Sequence, residues 1–135
     1  FARTCSGLFP MIRKIRMELN EYSPLALRTA NDLGPTGDLI HAALLITSEA
    51  GEIADVIKKH YAYGRPLDTI HLIEEVGDCV WGINLLLKTI GVEWSEVLDV
   101  NIAKLEARYP DLRFNDQHSV NRDKTREEAA IRGVL

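Results

Sequence analysis

Apolar residues recur at three- and four-residue steps along most of the chain, and no stretch alternates for long enough to predict a strand. From about Met17 to Leu33, the residues Leu19, Tyr22, Ala26, Ala30 and Leu33 share a helical face. Pro24 marks a first turn or a kink there, and Gly34-Pro35 ends the helix. A second helix is predicted from about Asp38 to Ala62, capped by Thr36 or Asp38. Leu39, Ala43, Ile46, Ala50, Ile53 and Ile57 form its apolar stripe, and beside it runs the line Ala42, Leu45, Glu49, Glu52, Val56. Gly64-Arg65-Pro66 breaks the chain. A third helix runs from the cap Asp68 to Ile90, with Leu72, Val76, Val80, Ile83, Leu87 and Ile90 as its stripe and Glu75, Asp78, Gly82 and Leu85 down an adjacent side. Gly91 stops it. A fourth helix, capped by Ser95, spans about Glu96 to Tyr109 and stops at Pro110. Residues 17–114 therefore read as one all-α domain, a bundle of four to five helices. Residues 1–16 read as an N-terminal arm or leader. Residues 115–135 read as a polar tail with a short last helix over Thr125–Ile131, and Phe114 is the expected anchor.

Composition narrows the function classes. A chain of 135 residues fits one domain with a real core. A net charge of −4 argues against a nucleic-acid surface. No apolar run reaches the roughly 18 residues that a membrane span needs. Cys5 and Cys79 lack metal-ligand spacing, and the N-terminal arm is too weakly apolar for a signal peptide; a reduced, cytoplasmic setting is expected. The third helix is apolar over so much of its circumference that a second copy is expected to cover it, as a homodimer or homotetramer.

The candidate chemistry lies in the second and third helices. Glu49 and Glu52 share one helical face, and so do Glu75 and Asp78. If the two helices form a hairpin, four carboxylates converge between them. Burying such charge without a partner is costly, so these positions ask for a hard divalent cation such as Mg²⁺, with Mn²⁺ as the alternative. Glu-x-x-Glu/Asp alone is a weak signal. The pairs Glu18/Glu21, Glu52/Asp55, Glu93/Glu96 and Glu96/Asp99 also occur, and such pairs are usually solvated faces. What distinguishes Glu49, Glu52, Glu75 and Asp78 is that apolar residues continue their lines. On the fourth helix Asn101, Lys104 and Arg108 form a polar, cationic stripe. His71 precedes Glu74 and Glu75, but no Glu is followed three residues later by His, which disfavours a ferritin-like di-iron centre. No arrangement for nucleophilic catalysis and no G-x-x-x-x-G-K-[ST] loop is present. His41, Leu45, Trp81 and Asn84 lie within a few turns of the carboxylates and could line a base pocket.

Glu49-Ala-Gly-Glu52 followed by Glu75-Val-Gly-Asp78 resembles the ExxE…ExxD signature of the all-α NTP pyrophosphohydrolases, the MazG-like group. Glu52-Ile-Ala-Asp55-Val-Ile-Lys58-Lys59, the segment from Asn101 to Pro110, and the region around Leu27-Arg28-Thr29-Ala30 are also similar to MazG-like sequences. The resemblance covers roughly Glu18 to Phe114. It implies metal-dependent hydrolysis of a nucleoside triphosphate to the monophosphate and pyrophosphate, with Glu49, Glu52, Glu75 and Asp78 as metal-holding catalytic residues. Asn101, Lys104 and Arg108 become candidates for the β- and γ-phosphates, with Lys58 or Lys59 as a further cation. Two alternatives stay open: phosphoribosyl-ATP pyrophosphohydrolase of the same superfamily, and a non-catalytic helical oligomerisation or regulatory module.

Overall fold

The computed structural model describes residues 17–135, and the arm over residues 1–16 lies outside them. Six α-helices and no strand occur among the described residues: α1 (Leu19–Ala26), α2 (Gly34–Tyr63), α3 (Thr69–Ile90), α4 (Trp94–Arg108), α5 (Asp116–Val120) and α6 (Lys124–Val134). A 3₁₀ turn over Leu27–Thr29 follows α1.

The first helix is shorter than its periodicity suggested. Pro24 sits inside α1, where it lacks an N–H and its ring crowds the carbonyl one turn back. The helix closes at Ala26 and tightens into the 3₁₀ turn. Gly34-Pro35 opens α2 instead of closing the first helix, because the fixed φ of proline suits a first turn. Asp38 does contribute at this end: its Oδ1 accepts from the Leu33 N–H at 3.1 Å, reaching back across the start of the helix. Asp68 caps α3 as expected, accepting from the His71 N–H at 3.0 Å. Ser95 does not cap α4. The extended residue there is Glu93, which forms a capping box with Glu96, and the Glu93 N–H donates to Glu96 Oε2 at 2.7 Å. Gly64 and Gly91 end α2 and α3 in the left-handed conformation, which costs a residue without Cβ nothing.

The α2 and α3 helices pack along their length as a hairpin. Their crossing is tight at Gly82, where an added Cβ would lie 2.9 Å from Ile46 Cγ1 and 3.4 Å from the Ile46 backbone nitrogen. The face that α2 turns to α3 is the line Ala42–Leu45–Glu49–Val56, with Ala42 and Val56 buried. The matching face of α3 is Glu75–Gly82–Leu85. The lines that carry the carboxylates are thus the hairpin interface. The apolar stripes are split: Leu39, Ala43, Ala50 and Ile57 of α2 and Val76 and Ile90 of α3 are exposed within the chain, whereas Ile46 packs at the crossing and Leu87 is buried. Periodicity groups residues onto a face without saying what covers it, which is why one stripe can lie partly in the hairpin and partly on the open surface.

The α1 helix lies on another side of α3, tied there by polar groups. Trp81 Nε1 donates to the Ala26 carbonyl at 3.2 Å and to Thr29 Oγ1 at 3.0 Å. Asn84, almost wholly buried, donates to the Ser23 carbonyl at 3.3 Å and accepts from Trp94 Nε1 at 3.1 Å, so one side chain joins α1, α3 and α4.

The tail is more structured than a polar segment with one short helix. α6 packs on α4, and the join is ionic. Glu127, 4% exposed, receives Arg108 through Nε and Nη2 at 2.9 Å each, and Arg122 through Nε at 3.2 Å and Nη2 at 2.6 Å. These two guanidinium groups hold the Glu127 carboxyl far below the usual carboxylate range. Phe114 is not the anchor; its ring is mostly exposed and stands beside that of Tyr109, with centroids 6.2 Å apart. A depressed folded pKa means that Glu127 contributes stability above its unfolded value of about 4.3 and loses it as pH falls below that value. The protection factors of the α6 amides, which correct for the pH dependence of intrinsic exchange, are accordingly expected to fall from about pH 4 downward while those of α2 and α3 persist. Uniform exchange across the helices over that range would contradict it.

Candidate metal centre

The hairpin brings the carboxylates together. One oxygen each from Glu49, Glu75 and Asp78 lie within 4.8 Å of one another, and so do ligand atoms of Glu52, His71 and Glu75. Glu75 belongs to both groups. It is also the buried member, at 7% exposure, whereas Glu49 is half-buried and Glu52 and Asp78 reach solvent. The centre therefore has a fixed, desolvated middle and two open flanks.

The electrostatics follow from that placement. Burial pushes the Glu75 carboxyl above its ordinary value, and a side-chain hydrogen bond with Glu49 raises it further. The charges of Glu49 and Glu52 act in the same direction, and His71 opposes them. Ser48 Oγ lies 3.2 Å from Glu49 Oε1 and 2.9 Å from the Leu45 carbonyl, steadying Glu49. Burial and, after it, the charge of Asp78 raise the Tyr22 phenol, which puts α1 at the rim of the centre. Cys79 is also raised, by burial first and then by Glu49, Glu75 and Asp78. It stays a thiol near neutrality and is a poor nucleophile. The donor set suits a divalent ion: clustered carboxylate oxygens, most still reachable from solvent, with excess negative charge to be offset.

The cations suggested for phosphates are placed differently. Lys58 and Lys59 both pair with Asp55, whose carboxyl their hydrogen bonds hold down at about 2. Both lysines remain partly exposed, so these are weak surface pairs that an anion can displace. Asp55 thus serves the lysines and does not join either ligand group. Asn101 and Lys104 line a shallow cavity of about 330 Å³ with Val97, Val100 and Ile131, between α4 and α6. Arg108 is committed to Glu127. Among the described residues, no hydrogen bond or ion pair joins Asn101, Lys104 or Arg108 to the four carboxylates. Of the residues suggested for a base pocket, Trp81 and Asn84 hold α1 and α4 in place, while the His41 ring stands 6.0 Å from that of Trp81 and leaves its buried Nδ1 without a partner. Asn84 also reaches a cavity of about 420 Å³ lined by Asn20, Pro24, Lys88 and Trp94.

His71 is the member of the centre that the Glu-x-x-His criterion passes over. Its signal is the opposite order at a four-residue step, a His four residues before Glu75, which puts both on one helical face. Its Nδ1 lies 3.2 Å from Glu75 Oε1 and 3.4 Å from Glu74 Oε2.

No helix among the described residues is long and apolar enough to cross a membrane. Comparison with curated proteins and with solved structures gives no match. The model of the MazG nucleotide pyrophosphohydrolase domain, however, matches residues 40–113, more than half of the chain, including both carboxylate pairs and the whole of α4. With its all-helical architecture, the chain belongs to the MazG nucleotide pyrophosphohydrolase family.

Proposed function

We propose that this chain is a divalent-metal-dependent nucleoside triphosphate pyrophosphohydrolase, converting a ribo- or deoxynucleoside triphosphate and water to the monophosphate and pyrophosphate. Clearing unwanted nucleotides from the pool is the role that fits such an activity. The observation that carries the reading is the meeting of Glu49, Glu52 and Asp78 around the buried Glu75 on the inner faces of α2 and α3. A non-catalytic helical module has no use for carboxylates in the interface that holds it together, because each costs desolvation. In this reading Glu49, Glu52, Glu75 and Asp78 hold Mg²⁺ or Mn²⁺, which supplies charge neutralisation on the phosphates and acidifies a bound water. Lys58 and Lys59, held loosely by Asp55 beside Glu52, are the nearest cations in sequence to the centre and are suited to meet the phosphate tail. Asn101, Lys104 and Arg108 on α4 are the further candidates for the β- and γ-phosphates, and Arg108 would have to leave Glu127 to serve there.

The test is a product assay. The purified protein is incubated with Mg²⁺ and a panel of nucleoside triphosphates that includes dUTP and dCTP. Monophosphate plus pyrophosphate is expected, lost on adding a chelator or on changing Glu52→Ala. Diphosphate plus phosphate would overturn the cleavage point. Turnover of phosphoribosyl-ATP alone would move the chain to the other branch of the superfamily.

The same reading includes assembly as a homodimer or homotetramer. The buried apolar residues of the described chain are Ala42, Val56, Leu85 and Leu87, too few to hold a bundle, while Leu39, Ile57, Val76 and Ile90 stay exposed. Such a face fits a second copy of itself. Sedimentation velocity is expected to find a dimer or larger species, and Ile57→Asp is expected to shift it to monomer. A wild-type chain that sediments as a monomer at micromolar concentration would refute the assembly.

A further inference from the structure

We infer that His71 is a metal ligand, and that the centre has two unlike positions: an oxygen-only one formed by Glu49, Glu75 and Asp78, and a mixed nitrogen–oxygen one formed by Glu52, His71 and Glu75. The inference rests on the metal-dependent reading above and adds a metal preference to it. Three observations carry it. The ligand atoms of each group lie within 4.8 Å of one another, and Glu75 is shared, so its two oxygens can face two ions at once. His71 sits in the first turn of α3, where its backbone N–H is held by the Asp68 carboxylate at 3.0 Å, so the imidazole projects from a fixed point. The Nδ1 atom is the one turned to the carboxylates, 3.2 Å from Glu75 Oε1, where a small cation accepted between them would replace the direct contact.

The chemistry separates the two positions. Mg²⁺ and Ca²⁺ are hard ions that take oxygen ligands, and both suit the Glu49–Glu75–Asp78 group. An imidazole nitrogen favours first-row transition ions over Mg²⁺, so the Glu52–His71–Glu75 group prefers Mn²⁺, or more strongly Co²⁺ and Zn²⁺. The bland role for His71 is a surface imidazole that only pairs with Glu74 and Glu75. That role predicts no direct bond to a bound metal and no change in metal preference when the ring is removed.

Mn²⁺ bound to the intact protein distinguishes the two by pulsed electron paramagnetic resonance and by titration. The wild type is expected to show ¹⁴N coupling to bound Mn²⁺ and to prefer Mn²⁺ to Mg²⁺. His71→Ala is expected to lose the ¹⁴N coupling and to reduce that preference by about tenfold or more, with Mg²⁺ affinity little changed. His71→Asp restores a ligand without nitrogen, so it is expected to regain part of the Mn²⁺ affinity but no ¹⁴N coupling; it also guards against a folding defect in the Ala variant. Mn²⁺ binding with no ¹⁴N coupling in the wild type, or coupling that survives His71→Ala, would overturn the role of His71 and leave the metal-dependent reading standing. No binding of Mn²⁺ or Mg²⁺ by the wild type would remove both.

Discussion

Glu75→Gln is expected to lower triphosphate hydrolysis by about 10³-fold or more while leaving the fold intact. Loss of a group that merely orients a metal ligand typically costs 10–100-fold, and Glu75 is a member of both ligand groups, so its loss removes a donor from each. Glutamine fills the same volume at this buried position and still hydrogen-bonds to Glu49. It also removes a negative charge that the burial of Glu75 and the neighbouring Glu49 and Glu52 disfavour. The variant without metal should therefore melt at or above the wild-type temperature, and the rise in melting temperature that Mg²⁺ gives the wild type should vanish. Product assays and thermal melts with and without metal check both halves. Retention of more than about a tenth of the wild-type rate would be incompatible with Glu75 as the shared ligand.

Gly82→Leu is expected to destabilise the protein by about 3 kcal/mol, a fall in melting temperature on the order of 10 °C. A Cβ at this position already meets Ile46 Cγ1 at 2.9 Å, and the Ile46 backbone nitrogen at 3.4 Å leaves the helix itself little room to retreat. A branched side chain forces α2 and α3 apart. The carboxylates sit on these two helices, so metal-dependent stabilisation should weaken with the packing. Gly77→Ala is the control: a Cβ there meets nothing within 4 Å, and helix propensity favours alanine by about 0.5–1 kcal/mol. Chemical denaturation of the two variants gives the comparison. A Gly82→Leu protein as stable as the wild type would show that the hairpin does not close as tightly as described.

Much of this architecture is readable from local chemistry. Asp68 as a cap, Gly64 and Gly91 as stops, and the closeness of Glu75 to Asp78 all follow from neighbours in the chain, whereas Glu49 and Glu52 fall in different groups around Glu75. The misses have a common cause in what lies across space. Glu93 caps α4 although glutamate is not a favoured cap, because Glu96 completes the box. The exposure of Leu39, Ala43 and Ala50, in the same stripe as Ile46 at the Gly82 crossing, depends on how α3 lies across α2. Arg108 reads as a free cation until Glu127 is brought against it from a tail whose composition looks merely polar. His71 is visible in the sequence only when a His four residues before Glu75 is counted as well as the familiar Glu-x-x-His order.

The pairing of helices has a kinetic consequence. Each main packing in this chain joins segments that follow closely: α2 with α3 across a short turn, and α4 with α6 across the single short helix α5. Closing such short loops loses little chain entropy, and folds dominated by local contacts form in microseconds to milliseconds. The α4–α6 pair, bound mainly to itself and clamped by Arg108, Arg122 and Glu127, is placed to open and reclose as a unit without unfolding the α2–α3 hairpin.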